Sequence, residues 1–272
     1  MDTRQRTAGT YDLASDTYDD PVLSFWERFG RRTVQRLDIP RGARVLDACC
    51  GSGASALPAG ERVGPEGSVL GVDLAQNLLS LARAKAADSG LAQVSFRQGD
   101  IASLGLPDAA FDAVICVFGI FFLDDMAGGV RELWRMVRPG GVLAVTTWGK
   151  GVFGPADGIF WEEVRSERPD LDRAFAPWDR IGDAAALRAL LAEGGVPAAA
   201  TIEMEPGEHP LRETADFWRI VMGSGYRATV EQLDPAARLR LRGKLERRLR
   251  EDDVRSLGAD VVYAAARKPA HG

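Results

Sequence analysis

Short apolar runs alternate with longer amphipathic stretches between residues 41 and 148. Continuous apolar runs of this length are typical of strands that are buried on both faces of a sheet. Between them, leucines at 78, 79 and 81 predict a helix over 75–89 that ends near Gly90, and a further helix is predicted over 124–137, before Pro139. The alternation predicts an α/β fold with a parallel sheet that helices cover on both faces. The predicted strands of this sheet lie at 43–48, 68–73, 94–98, 111–118 and 142–148.

The composition limits the classes of function. The chain has 272 residues, of which 46% are hydrophobic, and a net charge of -5, which argues against a nucleic-acid-binding surface. The first residues lack the apolar segment of a secretory signal, and the longest apolar run, 113–123, is shorter than the roughly 20 residues that span a bilayer. We therefore expect a cytoplasmic protein without integral membrane association. The sequence leaves a homo-oligomer open.

A glycine turn follows the first predicted strand. The segment 51–56, GSGASA, fits the dinucleotide fingerprint, and Asp73 lies 20 residues after Gly53, where a ribose-binding acid is expected. A pyrophosphate binds to backbone N–H groups where no anion lies nearby. Here Asp47 ends the strand beside the turn, and the segment 45–60 contains no lysine or arginine. This balance of charge disfavours a pyrophosphate and favours a ligand with a positive centre.

Two further strand ends extend this description of the ligand. The Asp73 carboxylate can accept hydrogen bonds from both hydroxyls of a ribose. Asp100 follows the third predicted strand and can accept from an exocyclic amine, while Ile101 can pack on a purine face. Together with a positive centre near Asp47, these residues predict a nucleoside that carries a cationic amino-acid tail. S-adenosylmethionine (SAM) fits this prediction.

Four segments resemble, in order, the successive motifs of the class I SAM-dependent methyltransferases. They are VLDACCGSG, GVDLAQNLL, GDIASLGLPDAAFDAVIC and ELWRMVRPGGVLAVTTW. The chain is most similar to the ubiquinone/menaquinone-biosynthesis-type branch of small-molecule methyltransferases, over roughly residues 18–148. The resemblance implies a Rossmann-like, doubly wound, mostly parallel sheet of seven strands, with SAM across the carboxyl ends of the first strands.

The segments outside this core have weaker patterns. Residues 17–37 predict one or two helices before the sheet, and beyond Trp148 a late helix, two late strands and further helices are predicted at 183–193, 200–205, 261–267 and 213–252. The predicted division of the chain is an N-terminal helical cap at 1–40, a SAM-binding core at 41–149, a substrate-side insertion with a late helix and strand at 150–212, a helical lid at 213–253, and a closing strand and tail at 254–272.

The resemblance also implies roles for individual residues. Asp47, Gly51 and Gly53 are placed around the methionine moiety, and Tyr18 is placed at its carboxylate. Leu74 and Leu78 are placed beside the adenine. The complete set implied for the cofactor is Tyr18, Asp47, Ala48, Cys49, Gly51, Gly53, Asp73, Leu74, Leu78, Gly99, Asp100, Ile101, Cys116 and Val117.

Aromatic residues dominate the predicted methyl end and favour an apolar, cyclic small molecule that is methylated at oxygen or carbon. Related enzymes often carry a histidine after the fourth strand, where this chain has Phe121 and Phe122. A general base must then be His209, Tyr18 or Tyr226, unless the substrate is already acidic. The substrate-binding residues predicted are Phe25, Trp26, Phe118, Phe121, Phe122, Trp148, Trp218 and Tyr226.

Other interpretations stay open at this point. Cys49 and Cys50 are adjacent and lack the spacing of zinc ligands, so we predict that they are packing residues and that no metal is bound. One alternative function is a SAM-binding protein with non-methylating chemistry, such as a cyclisation. The other is an NAD-binding oxidoreductase.

Overall fold

The computed structural model describes residues 3–171, 176–197 and 199–270. Its strands are β1 Arg44–Ala48, β2 Ser68–Asp73, β3 Val94–Gln98, β4 Phe111–Val117, β5 Val137–Trp148, β6 Thr201–Glu205, β7 Glu208–Pro210, β8 Ser256–Gly258 and β9 Val261–Arg267. Within the described ranges, seven of them form one sheet in the order β3-β2-β1-β4-β5-β9-β6. Strand β9 runs antiparallel to β5 and β6, and the other neighbouring pairs are parallel. The predicted fold class is confirmed.

Helices cover both faces of this sheet. They are α1 Thr3–Ala14, α2 Phe25–Gln35, α3 Ala56–Val63, α4 Gln76–Asp88, α5 Met126–Met136, α6 Ala156–Glu167, α7 Ala184–Glu193, α8 Ala215–Met222, α9 Arg227–Val230 and α10 Pro235–Glu251, with short 3-10 helices at Pro21–Leu23, Ile120–Phe122 and Pro177–Ile181. Asp234 caps α10 by accepting a hydrogen bond of 2.8 Å from the backbone N–H of Ala237. Within the described ranges, none of these helices combines the length and the apolar character that a bilayer crossing requires.

The centre of the sheet positions the site. Strand β1 lies between β2 and β4, and Ala48 at its carboxyl end is paired with Val72 on one side and Cys116 on the other. Val45 and Leu46 are fully buried. Because the three parallel strands end at the same edge, the loops that follow them meet above the sheet, where open α/β sheets bind their ligands.

Four parts of the fold named here differ from the sequence-based expectation. Helices α1 and α6 and the two-stranded sheet β7–β8 were not predicted, because α1 is mostly polar and the two strands have only three residues each. Strand β5 begins at Val137 and passes through Pro139 rather than beginning at Val142. A register shift against β4 between Phe111 and Ala113 accommodates this longer strand.

Candidate active site

The turn after β1 has an unusual backbone. Cys49, Gly51 and Gly53 all have positive φ angles, of 62°, 53° and 91°. A Cβ atom on Gly51 would lie 3.0 Å from the Tyr18 hydroxyl oxygen, so glycine both permits the conformation and leaves space. Cys49 is the exception, because a side chain in this region is strained. The turn therefore lies close to Tyr18 at Gly51 and has a strained backbone at Cys49.

Asp73 joins this turn to the end of β2. Its Oδ2 atom accepts a hydrogen bond of 2.8 Å from the backbone N–H of Gly51, and its Oδ1 atom accepts one of 2.9 Å from that of Ala75. Burial raises the pKa of Asp73, although these backbone hydrogen bonds oppose the shift. Each carboxylate oxygen has a further lone pair, so the group can still accept from a ribose diol.

A cleft of about 910 Å³, including its open mouth, lies above this edge of the sheet. The residues predicted for the cofactor that line it are Tyr18, Cys49, Gly51, Asp73, Leu74, Leu78, Gly99, Asp100, Ile101 and Val117. The sequence interpretation missed Thr7, Ala8 and Tyr11 of α1, together with Cys50, Ala54, Ser55, Ala75, Gly119 and Leu123.

The first helix closes one side of the cleft. Tyr11 makes edge-to-face contacts with Tyr18 and Phe122, with ring centroids 6.1 and 5.7 Å apart. Asp12 fixes α1 to the start of α4, since its Oδ1 atom accepts a hydrogen bond of 2.8 Å from the backbone N–H of Asn77. The sequence pattern did not indicate that α1 lines the cleft, because the helix contributes one aromatic side chain and has no apolar face.

The charges of the cleft fit SAM. Asp73 and Asp100 lie on its wall, and no lysine or arginine is among the described residues that line it. A pyrophosphate would meet no positive side chain here, whereas a sulfonium and an ammonium group are attracted by the carboxylates.

Four residues implied for the cofactor do not line this cleft: Asp47, Ala48, Gly53 and Cys116. Asp47 is fully buried behind the turn, where its Oδ2 atom accepts a hydrogen bond of 2.7 Å from the Ser55 hydroxyl. Its Oδ1 atom has no hydrogen-bond partner among the described residues. Burial raises the pKa of Asp47 to about 7. The sequence argument placed Asp47 next to the positive centre of the ligand. In the structure Asp47 instead holds the turn from behind, through Ser55, and does not line the cleft.

Asp47 makes the stability of the fold depend on pH. Because its pKa is raised in the folded state, its protonated form favours folding, and its contribution is lost as the pH rises towards 7. We expect the free energy of unfolding to fall between pH 5 and pH 8 by about 3 kcal/mol more in the wild type than in Asp47→Asn. Urea unfolding at both pH values measures this difference. Equal pH dependence in the two proteins would contradict the assignment.

The cysteines show no sign of a reactive centre. The pKa of Cys49 is raised mainly by a hydrogen bond with Cys116 and, to a smaller extent, by burial. Burial also raises the pKa of Cys50. Both are therefore thiols rather than thiolates near neutral pH. Across the described ranges, no three His, Cys, Asp or Glu side chains are grouped as metal ligands.

A second cavity adjoins the cofactor cleft. Its volume is about 1120 Å³ with its mouth, and Tyr11, Trp26, Phe118 and Phe122 line both spaces. These four side chains form the junction between the two spaces. The remaining wall consists of Phe121, Trp148, Phe153, Asp157, Trp161, Ala176, Pro177, Trp178, Ser224, Gly225, Tyr226 and Thr229.

Stacked and edge-to-face rings hold the wall near the junction. Phe118 stacks on Trp148 with centroids 3.9 Å apart and an interplanar angle of 12°. Phe118 and Phe153 adopt positive φ angles of 52° and 60°, which cost energy in residues that carry a side chain. A Cβ atom on Gly119, the residue after Phe118, would collide with the Cys49 side chain, so this turn also requires glycine.

Three predicted residues lie elsewhere among the described residues. Phe25 and Trp218 belong to the core and its margin and line neither space, and Phe25 instead supports the ring of Trp26 from behind. His209 lies on β7, buried against Phe25 with ring centroids 5.1 Å apart, and also lines neither space. Burial lowers its pKa. The short β7–β8 pairing carries the histidine away from the cleft, which the sequence did not indicate.

Tyr18 lies in the cleft but is a poor base there. Burial raises its pKa well above the usual value of 10, and the nearby Tyr11 and Asp73 add to the shift. A phenol with a raised pKa keeps its proton at neutral pH. The hydroxyl is therefore suited to hydrogen bonding rather than to proton abstraction.

Comparison with known proteins agrees with this geometry. Residues 45–141 match the family model described as a methyltransferase domain. This part of the chain is a methyltransferase domain. The glycine turn, the acid after β2 and the strands β2, β3 and β4 all fall within the matched residues.

Relatives of this methyltransferase domain include two curated proteins. Over 144 residues it is 34% identical to the aklanonic acid methyltransferase DauC of Streptomyces sp. (strain C5), covering 53% of this chain and 66% of that protein. Over 138 residues it is 33% identical to the demethylmenaquinone methyltransferase of Listeria monocytogenes serotype 4a (strain HCC23), covering 49% and 58%. The chain thus spans under two thirds of the length of these relatives.

Solved structures share the fold of this chain. The YcgJ protein of Bacillus subtilis superposes with a TM-score of 0.58 over 89% of this chain and 99% of its own, at 19% sequence identity. At this level of identity the likeness concerns the fold alone.

Proposed function

We propose that this protein transfers the methyl group of SAM to an oxygen or carbon atom of an apolar, cyclic small molecule. The observation that carries the proposal is the junction at which Tyr11, Trp26, Phe118 and Phe122 line both the cofactor cleft and the aromatic cavity. Among the described residues, these four side chains contact both spaces, so an acceptor in the cavity would lie next to the cofactor cleft, and their apolar surface would exclude water from the reacting atoms. SAM supplies the electrophilic methyl group when it is bound.

The polypeptide contributes position rather than a strong base. His209 lines neither space, and the raised pKa of Tyr18 keeps that phenol protonated. Tyr226 lines the cavity, but its hydroxyl donates a hydrogen bond of 2.6 Å to Asp157 Oδ1. A nucleophile that is itself acidic, such as a phenol, an enol or an activated carbon, needs only to be aligned. Two relatives are named for the acceptors aklanonic acid and demethylmenaquinone, which supports a small-molecule acceptor.

The rate of methyl transfer is expected to follow the acidity of the acceptor. The assay combines the protein, methyl-labelled SAM and a series of ring-substituted naphthols of graded acidity, with mass spectrometry of the products. The pH at half-maximal rate should move with the pKa of each naphthol, because the substrate ionises without a base from the wall.

Two results would contradict this proposal. A midpoint that stays constant along the naphthol series would reveal a base within the protein. Conversion of an acceptor without gain of the label would favour the non-methylating alternative, since a cyclisation leaves SAM intact.

A further inference from the structure

Tyr11 is a polar side chain at the junction of the two spaces. It lines both the cofactor cleft and the aromatic cavity, together with Trp26, Phe118 and Phe122. The two phenylalanines have no polar side-chain atom, and the indole nitrogen of Trp26 is sealed within the protein. Among the described side chains that line both spaces, Tyr11 therefore supplies the polar atom that a ligand can reach.

The Tyr11 hydroxyl lies on the cavity side of the junction. A Cβ atom on Gly225 would lie 3.7 Å from the Tyr11 hydroxyl oxygen, and Gly225 lines the cavity but not the cofactor cleft. The Tyr18 hydroxyl, in contrast, lies beside Gly51 of the cofactor turn. The two tyrosine rings thus meet edge to face, but their hydroxyls serve different spaces.

The ring of Tyr11 is held in place while its hydroxyl stays available. Tyr18 and Phe122 contact the ring from two sides, and Asp12 bonds the same helix to the start of α4. Tyr11 is only partly buried, and its hydroxyl makes no hydrogen bond within the described part of the chain. A donor that is already positioned loses little freedom when it binds a ligand.

The Tyr11 phenol is a donor rather than a base. Burial raises its pKa, and the nearby Asp73 and Cys49 add to the shift. The hydroxyl therefore keeps its proton at neutral pH and can donate it in a hydrogen bond. Hydrogen bonds from such a donor to an ionised oxygen are stronger than those to a neutral one.

The charged groups on the surrounding elements are engaged elsewhere. Helix α4 is bonded to α1 at Asn77, and its charged residues begin at Arg83. Arg227 of α9 is paired with Asp16, and Asp157 of α6 accepts hydrogen bonds from within the protein. No lysine or arginine is among the described residues that line either space. An anionic oxygen at the junction therefore depends on a neutral donor.

We propose that the Tyr11 hydroxyl donates a hydrogen bond to the ionised oxygen of the acceptor, so that Tyr11 is a catalytic residue and the acceptor is a phenol or an enol. This inference rests on the proposed function, because it takes the aromatic cavity as the acceptor site. The acceptor loses its proton to water. Its oxygen then forms the O–CH₃ bond as the S–CH₃ bond of SAM breaks, and the electron pair stays on sulfur. Tyr11 keeps its own proton throughout.

Tyr11→Phe removes the hydroxyl and keeps the ring. The probe is 4-nitro-1-naphthol, whose ionised form absorbs visible light, and its binding is followed by absorbance and calorimetry with S-adenosylhomocysteine present. The variant should bind the naphtholate about 10-fold more weakly, because a hydrogen bond to a charged oxygen is lost. The methyl ether of this naphthol carries no charge and should lose much less. The pKa of the bound naphthol, and with it the pH at half-maximal methyl transfer, should therefore rise.

Tyr263→Phe is the matched control. Tyr263 lies on β9, lines neither space, and its hydroxyl likewise has no hydrogen-bond partner among the described residues. This variant should bind the naphtholate as tightly as the wild type. Neither variant should lower the midpoint of urea unfolding, because neither loses a hydrogen bond in the free protein.

Equal naphtholate affinity in Tyr11→Phe and the wild type would overturn the inference. A loss confined to S-adenosylhomocysteine would also overturn it, since the hydroxyl would then bind the cofactor. Labelled methyl transfer with an unchanged pH dependence in Tyr11→Phe would reject this inference and leave the proposed function standing. Weaker naphtholate binding in Tyr11→Phe, without methyl transfer to any acceptor by the wild type, would reject the proposed function alone.

Discussion

Asp73→Ala is expected to weaken SAM binding by at least about 100-fold, because hydrogen bonds to a charged group contribute about 1.5–3 kcal/mol each. The variant loses the acceptor for the ribose hydroxyls and also the tie to the backbone N–H of Gly51, which holds the turn at the methionine end. Calorimetry with SAM and S-adenosylhomocysteine measures the loss.

The variant Asp73→Asn separates the two contributions. An asparagine keeps the volume and one acceptor oxygen, so we expect an intermediate affinity. Asp38→Ala is the control. This substitution also removes one carboxylate, but the Asp38 side chain precedes β1 and is 89% exposed. Unchanged affinity in Asp73→Ala would reject the ribose assignment, and binding of NAD in place of SAM would support an oxidoreductase.

Trp148→Ala is expected to lower the free energy of unfolding by about 3–5 kcal/mol. Trp148 ends β5, is 3% exposed, and contacts the rings of Phe25, Trp26 and Phe118. Removal of the indole leaves an empty space where it packed against these rings. The rings are held by other contacts, so they fill this space only in part. Urea unfolding measures the loss.

The same variant should weaken binding of 2-naphthol, because Phe118 loses the ring on which it stacks. Trp148→Phe should restore most of the stability. The matched control is Trp134→Ala on α5, where the partly buried indole contacts Lys268 at 5.3 Å and lines neither space. A loss of stability in Trp148→Ala no greater than in Trp134→Ala would show that the aromatic wall does not depend on Trp148.

The centre of the sheet could be predicted because its strands, unlike β3 and β6 at the edges, are mostly apolar and buried. A strand such as β1 has to be buried on both faces, so its side chains record its environment directly. The glycine turn could also be predicted, because positive φ angles favour glycine. Asp73 could be predicted because an acid at the end of β2 is a recognisable feature of nucleotide sites. These features occupy one continuous part of the chain.

The aromatic cavity could not be predicted as a whole. Its wall combines Tyr11 from α1, Asp157 from α6 and Ser224 after α8, which lie far apart in the chain. Each is an ordinary residue in its own segment. Their common environment arises only when the helices pack around the carboxyl ends of the strands.

The sequence by itself therefore determined the centre of the α/β sheet, the position of the glycine turn and the methyltransferase domain, because local burial and backbone conformation select residue types directly. The tertiary structure alone decided that Asp47 lies behind the turn, that His209 lies outside both spaces and that Tyr11 closes the cleft. The physical reason is that a side chain's neighbours across the fold depend on how helices and short strands pack, and no local pattern encodes that packing.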